Sequence, residues 1–107
     1  MFLLLDESVP KGLRRYLPSH DARTVVEQGW GGVKNGMLLS LAAAASFEAF
    51  ITVDKNLPYQ QNLKLIPIAV VLLSAASNEL RVLTPLIPKL EAVLLRIQPR
   101  SFVQIDA

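Results

Sequence analysis

Short β-prone runs at Phe2 to Leu5, Ala22 to Val26, Ala49 to Val53 and Ile66 to Leu73 alternate with stretches in which apolar residues recur at helical spacing. Phe2 to Leu5 and Ile66 to Leu73 are continuously apolar, as strands covered on both faces of a parallel sheet must be. Leu13 and Leu17 stand at i, i+4 spacing behind Ser8, which reads as an N-cap, and Pro10, which fits a first turn. Pro18 and the Ser19-His20-Asp21 turn end that segment. Glu27 to Gly36 holds four of the five glycines and reads as a loop carrying Trp30. From Asn35 a helix is expected, with Met37, Leu38, Leu41, Ala42 and Ala45 on its apolar face.

Asn56-Leu57-Pro58 begins a short helical turn through Asn62. Asn78 caps a segment bearing Leu80, Val82 and Leu83, Thr84-Pro85 restarts it, and Pro88 is expected to kink the helix beyond it. Leu86, Ile87, Leu90, Val93, Leu94 and Ile97 form a broad apolar face that serves as core or as a dimer seam. Ser101 to Ile105 alternates like an edge strand. The order of elements predicts one domain, residues 1 to 107, folded as a three-layer α/β/α sandwich around a mostly parallel sheet of about five strands.

At 51% hydrophobic residues the chain has more apolar surface than so small a core needs, which implies a homo-oligomer. The net charge of +2, from 11 basic and 9 acidic residues, attracts a polyanion only where basic residues cluster. The absence of cysteine excludes disulfides and thiolate metal sites and suits a reducing cytoplasm. Met1 to Leu5 lacks the basic segment of a signal peptide and meets Asp6 too early, and no apolar stretch is long enough to cross a bilayer. A soluble cytoplasmic protein is expected.

Asp6-Glu7 follows the first strand and Asp54 the third, so three acids are expected on the carboxyl rim of the sheet, where α/β proteins collect ligands. Carboxylates without cysteine suit a hard cation, Mg2+ or Mn2+, and hence phosphoryl transfer or phosphodiester hydrolysis. The same acids serve equally as ordinary caps and turn residues. A receiver-type phosphoacceptor site is a further reading, with Ser74 as its strand-four hydroxyl; the last strand, however, ends without a lysine, and Lys89 falls inside a helix.

LLLDESVPKGLRRYLPSHDARTVVEQGWGGVKNGMLLSLAA, followed by FITVDKNLPYQQNL and the IPIAVVLLS strand, resembles the small PIN-like proteins of the DUF5615 or Mut7-C-like group over nearly the whole chain. The resemblance implies an Mg2+- or Mn2+-dependent ribonuclease, the toxin of a bacterial pair with a cognate antitoxin protein as partner and RNA as substrate. It makes Asp6, Glu7 and Asp54 metal ligands, with Asn35 beside them at the catalytic site. The chain departs from the pattern at Asn35, where relatives have Asp, at Met37, where Glu is usual, and at Asn56. An asparagine ligates without charge and methionine offers nothing to Mg2+, so a module that binds a partner without cleavage is the alternative.

Lys55 and Asn56, beside Asp54, together with Lys11 and Arg14, are the expected substrate-binding residues; Arg15 and Lys34 are further cations in reach of a phosphate. Charges on a helix face are also simply solvated. Trp30 and Tyr59 offer faces for base stacking, although a loop tryptophan more often plugs a small core, and His20 reads as structural.

Overall fold

The computed structural model describes residues 1–107. Its strands are β1 (Phe2–Leu5), β2 (Asp21–Thr24), β3 (Ala49–Thr52), β4 (Ala69–Ser74) and β5 (Phe102–Asp106), with helices α1 (Asn35–Ala44), α2 (Leu57–Gln60), α3 (Leu80–Leu83) and α4 (Ile87–Leu94). A 3-10 helix, Lys11–Tyr16, lies between β1 and β2, and a second, Thr84–Leu86, joins α3 to α4. All strands are parallel, in the order β2-β1-β3-β4-β5. The chain therefore leaves β1 for one edge and returns across it to β3, which makes the gap between β1 and β3 the point where the strand order reverses. Ligand crevices form there, beyond the carboxyl ends.

Side chains alternate across a strand, and this divides the core in two. Leu3 and Leu5 of β1, Ile51 of β3 and Val71 and Leu73 of β4 face one layer, packed with Leu13 and Leu17, with Leu83, Leu86 and with Leu90 and Leu94 of α4. Leu4, Phe50 and Val70 face the opposite layer, with Leu38, Leu39 and Ala42 of α1 and Leu57 of α2. The result is the three-layer α/β/α sandwich, its sheet parallel throughout. No helix is long and apolar enough to cross a membrane.

Several local expectations shift. The first helical segment is 3-10 rather than α, with Pro10 extended at its start; Ser8 does not cap it but bonds to Asp6. β2 stops at Thr24, and Val26 lies 66% exposed. The buried face of α1 is Leu38, Leu39 and Ala42, while Met37 is 62% exposed, because the helix lays Leu39 rather than Met37 on the layer of Leu4 and Phe50. β4 begins at Ala69, after buried Ile66 and Ile68. Glu79, not Asn78, stands at the start of α3, and the Asn78 amide donates instead to the Ser8 carbonyl at 3.1 Å. Pro88 kinks nothing: it occupies the first turn of α4, where its missing N–H costs no hydrogen bond. The face of Leu86, Leu90 and Leu94 is core.

Candidate functional site

The rim beyond β1 and β3 is held by a short polar network. Asp6, the first residue past β1, is buried, with 9% of its surface exposed. Its Oδ1 accepts from the Glu7 backbone N–H at 2.8 Å, and its Oδ2 accepts from the Ser8 hydroxyl at 2.7 Å and the Thr52 hydroxyl at 2.8 Å. A carboxylate with three donors is held in one orientation. Thr52 Oγ1 also accepts from the Asp54 backbone N–H at 3.0 Å, so one hydroxyl spans from Asp6 to the start of the Asp54 turn.

Asp54 sits two residues beyond β3 and is half-buried. Its Oδ1 closes an Asx turn by accepting from the Asn56 N–H at 2.9 Å, and its Oδ2 lies 3.4 Å from the Asn35 amide nitrogen, at the start of α1. Asn35, Asp54, Thr52, Asp6 and Ser8 thus form a continuous chain of contacts over the β1–β3 gap. Glu7 points away from it: its Oε1 accepts from the Gly32 backbone N–H at 2.7 Å and ties the glycine-rich loop to the rim. The three expected acids do not converge, and no group of three acidic or histidine side chains is placed to hold an ion by itself.

The expected cations separate. Lys11 and Arg14 line a groove of about 450 Å3 on the β2 side, shared with Asp6, Glu7, Thr24 and Glu27. Arg14 Nη1 donates to Glu27 Oε1 at 2.7 Å, and the same oxygen accepts from the Thr24 N–H at 2.9 Å. These bonds, the Arg14 one foremost, lower the Glu27 carboxyl from its ordinary 4.5 to about 2, and the Arg14 guanidinium is raised in return. Lys55 is exposed on the other side of Asp54, in a cleft shared with Ser77 and Asn78. Asn56 contributes its backbone N–H to Asp54 and leaves its side chain in solvent.

The remaining residues fall where expected or stand apart. His20 lies at the amino end of β1 and β2, away from the carboxyl rim, its Nε2 2.5 Å from Glu91 Oε1 and its Nδ1 3.0 Å from the Met1 amine. Trp30 packs edge-on against Phe47, centroids 6.1 Å apart, and plugs the core. Tyr59 is 90% exposed. Ser74 ends β4, β5 ends at Asp106, and Lys89 Nζ bonds the Asp106 carbonyl at 3.2 Å. Sequence reasoning misses Thr52 and Ser8 as members of the site, since a hydroxyl at a strand end or before a proline reads as propensity or capping. Their signal is placement, two residues before Asp54 and two after Asp6.

Every donor around the gap is a hard oxygen, from carboxylates, an asparagine amide and hydroxyls. That set fits Mg2+ or Mn2+, which are held by one or two carboxylates with water and substrate phosphate completing the shell. Comparison with family models, with curated proteins and with solved structures finds no match for this chain. What fold and site define is a parallel α/β/α sandwich in which a buried threonine hydroxyl joins the Asp6 carboxylate to the Asp54 backbone N–H at the strand-order reversal.

Proposed function

We propose that the chain is a PIN-like ribonuclease dependent on Mg2+ or Mn2+, acting as the toxin of a toxin–antitoxin pair. The observation that carries this reading is the Asp6–Thr52–Asp54 linkage, which fixes two acids on adjacent strand ends in the ligand crevice of the fold. Asp6 and Asp54 would hold the cation. Chemistry supplied there by a bound ion is charge neutralisation at a phosphodiester and acidification of water. Ser8 and Thr52 keep Asp6 oriented, Asn35 steadies Asp54 Oδ2, Lys55 meets the phosphate, and Glu7 holds the loop that carries Asn35 toward the site. An antitoxin partner and self-association belong to the same proposal, the latter supported by Leu65 and Leu95, which are 77% and 90% exposed.

The test is cleavage of a mixed pool of single-stranded and structured RNAs with Mn2+ or Mg2+, against EDTA and against Asp6→Asn and Asp54→Asn. Cleavage that requires the metal and is lost in folded Asp54→Asn establishes the activity; no cleavage, and no heat of Mn2+ binding, overturns it. The engagement of Asp6 by three donors favours one second reading, a module whose acids are structural and which binds a partner without cleavage. Wild-type protein that takes up no Mn2+ supports that module.

A further inference from the structure

The asparagines of the chain are Asn35, Asn56, Asn62 and Asn78, and the residues that follow them are Gly36, Leu57, Leu63 and Glu79. Asparagine is chemically labile because the backbone nitrogen of the next residue can attack its side-chain amide, and a glycine there leaves that nitrogen unshielded and free to swing into place. Only Asn35 has such a neighbour. It is the first residue of α1, which the chain enters from Lys34 with an extended backbone and no side-chain hydrogen bond to cap it. The Gly36 N–H belongs to the first-turn donors that lack an intrahelical acceptor, so no helical hydrogen bond has to break to free it. Attack needs the Asn35 backbone to leave its helical ψ, and the frayed end of an uncapped helix, weakened further by a glycine, resists that least. Gly36 is exposed and Asn35 half-buried, and nothing but the Gln61 amide, 3.7 Å from a Cβ built on Gly36, stands over the peptide. The Asn35 side chain itself is held by a single 3.4 Å contact to Asp54 Oδ2.

We propose that Asn35-Gly36 is a site of spontaneous deamidation, which turns Asn35 into an acid facing Asp54 without the help of an enzyme. The Gly36 backbone nitrogen passes its proton to solvent and bonds to the Asn35 side-chain carbonyl carbon, which releases its amide nitrogen as ammonia and leaves a cyclic imide. Water then opens the ring. Cleavage of the bond between the side-chain carbon and the Gly36 nitrogen gives aspartate with the main chain restored; cleavage on the other side gives isoaspartate, with the main chain rerouted through the side-chain carbon and α1 starting beyond it. The balance is one amide and one water for one carboxyl and one ammonia, with no oxidant or reductant. The amino end of α1 favours negative charge both on the attacking nitrogen and on the new carboxylate. In the aspartate product the hydrogen bond from Asn35 to Asp54 Oδ2 is replaced by two carboxylates at that distance, which repel unless a cation comes between them. A hard divalent cation is the ligand that such a pair takes. This consequence for the site rests on the metal-dependent reading above, whereas the deamidation itself does not.

The experiment incubates the folded full chain at mildly alkaline pH and follows the peptide around each asparagine by mass spectrometry, with Gly36→Ala, Asn35→Gln and urea-unfolded wild type in parallel. The peptide holding Asn35 is expected to gain the mass difference between an amide and a carboxyl and to resolve into aspartate and isoaspartate forms, while those of Asn56, Asn62 and Asn78 stay unchanged. Gly36→Ala, whose new methyl meets nothing nearer than 3.7 Å, keeps the fold and loses the gain. Asn35→Gln loses it too, because its amide carbon stands one methylene further from the Gly36 nitrogen. Conversion in the unfolded chain with none in the folded one overturns the inference, since the fold then protects the peptide; so do equal rates at all the asparagines. Calorimetric titration of fresh and aged protein with Mn2+ reads the consequence, and the aged protein is expected to bind more tightly, as Asn35→Asp does. Conversion at Asn35 with Mn2+ uptake unchanged upholds the deamidation site and counts against the metal site; tighter Mn2+ binding by Asn35→Asp with no conversion on ageing does the reverse.

Discussion

Thr52 donates its hydroxyl to Asp6 Oδ2 across 2.8 Å and so fastens the end of β3 to the first residue beyond β1. Thr52 is fully buried, and the same oxygen receives the Asp54 N–H. Thr52→Val keeps the shape and removes the hydroxyl, leaving a buried carboxylate one donor short and a backbone N–H without its acceptor. The expected cost is about 1–3 kcal/mol, read from the urea midpoint at unchanged slope. Thr52→Ser, which retains the hydroxyl, recovers most of it. A midpoint that does not move in Thr52→Val would show that the hydroxyl does not lock the two strand ends together.

The two acids differ in what they do for the fold, and their asparagine variants separate accordingly. Asp6→Asn puts an amide donor against the Ser8 and Thr52 hydroxyls and loses about 1–3 kcal/mol of stability. Asp54, half-buried and bonded through one oxygen to a backbone N–H, tolerates Asn within about 0.5 kcal/mol. Chemical denaturation of the pair checks this, and it identifies Asp54→Asn as the cleaner probe of activity.

Asn35 acts on the site through Asp54, from the first turn of α1. In the proposed nuclease, Asn35→Ala lowers metal affinity or rate by roughly 10–100-fold, the usual cost of removing a group that orients a ligand. Asn35→Asp adds a third carboxylate beside Asp54 and, in that nuclease, raises Mn2+ affinity. Calorimetric titration of both variants with Mn2+ decides the matter; equal affinities in wild type, Ala and Asp would show that Asn35 is outside the site.

Glu27 titrates at about 2 when folded against an ordinary 4.5, mainly through the Arg14 hydrogen bond. A carboxyl whose folded value is depressed contributes stability that is complete above its unfolded value and fades as pH falls through the folded one. The window is therefore pH 4.5 to 2. Urea midpoints of Glu27→Gln are expected to fall less steeply than wild type across that interval and to run parallel to it between pH 6 and 8 by the same linkage, at about constant offset. A wild-type and variant pair with equal slopes below pH 4.5 contradicts it.

The apolar runs are enough to read β1 and β4, which are buried on both faces and carry no polar position before Ser74. Helix faces are harder. In α1 nearly every residue is apolar or small, so Met37 and Leu39 are indistinguishable by period, and only packing against Phe50 and Leu4 selects Leu39. Leu39→Ala is accordingly expected to cost about 2–5 kcal/mol, while Met37→Glu, on the solvent side, stays within about 0.5 kcal/mol in the same denaturation assay. Asp6 and Asp54 are legible as strand-end acids. Their link through Thr52 is not, since it depends on which strands are neighbours, and chain order alone does not state that β1 pairs with β3. Glu7 misleads for a related reason: adjacency to Asp6 in sequence sends alternate side chains in different directions at a strand end, and Gly32 captures it.

The strand order also governs when the protein is vulnerable. β4, AVVLLS with all but Ser74 buried, is shielded along one side by β3 and along the other only by β5, which follows it by some thirty residues. Gln104 and Asp106 then give the finished sheet a polar border. Until residue 106 has left the ribosome, the longest strand of the molecule presents a bare backbone ladder to any other chain with a strand to offer. The same exposure follows from any truncation that removes β5, and such a chain is expected to fail by aggregating, long before the acids at the opposite side of β3 matter.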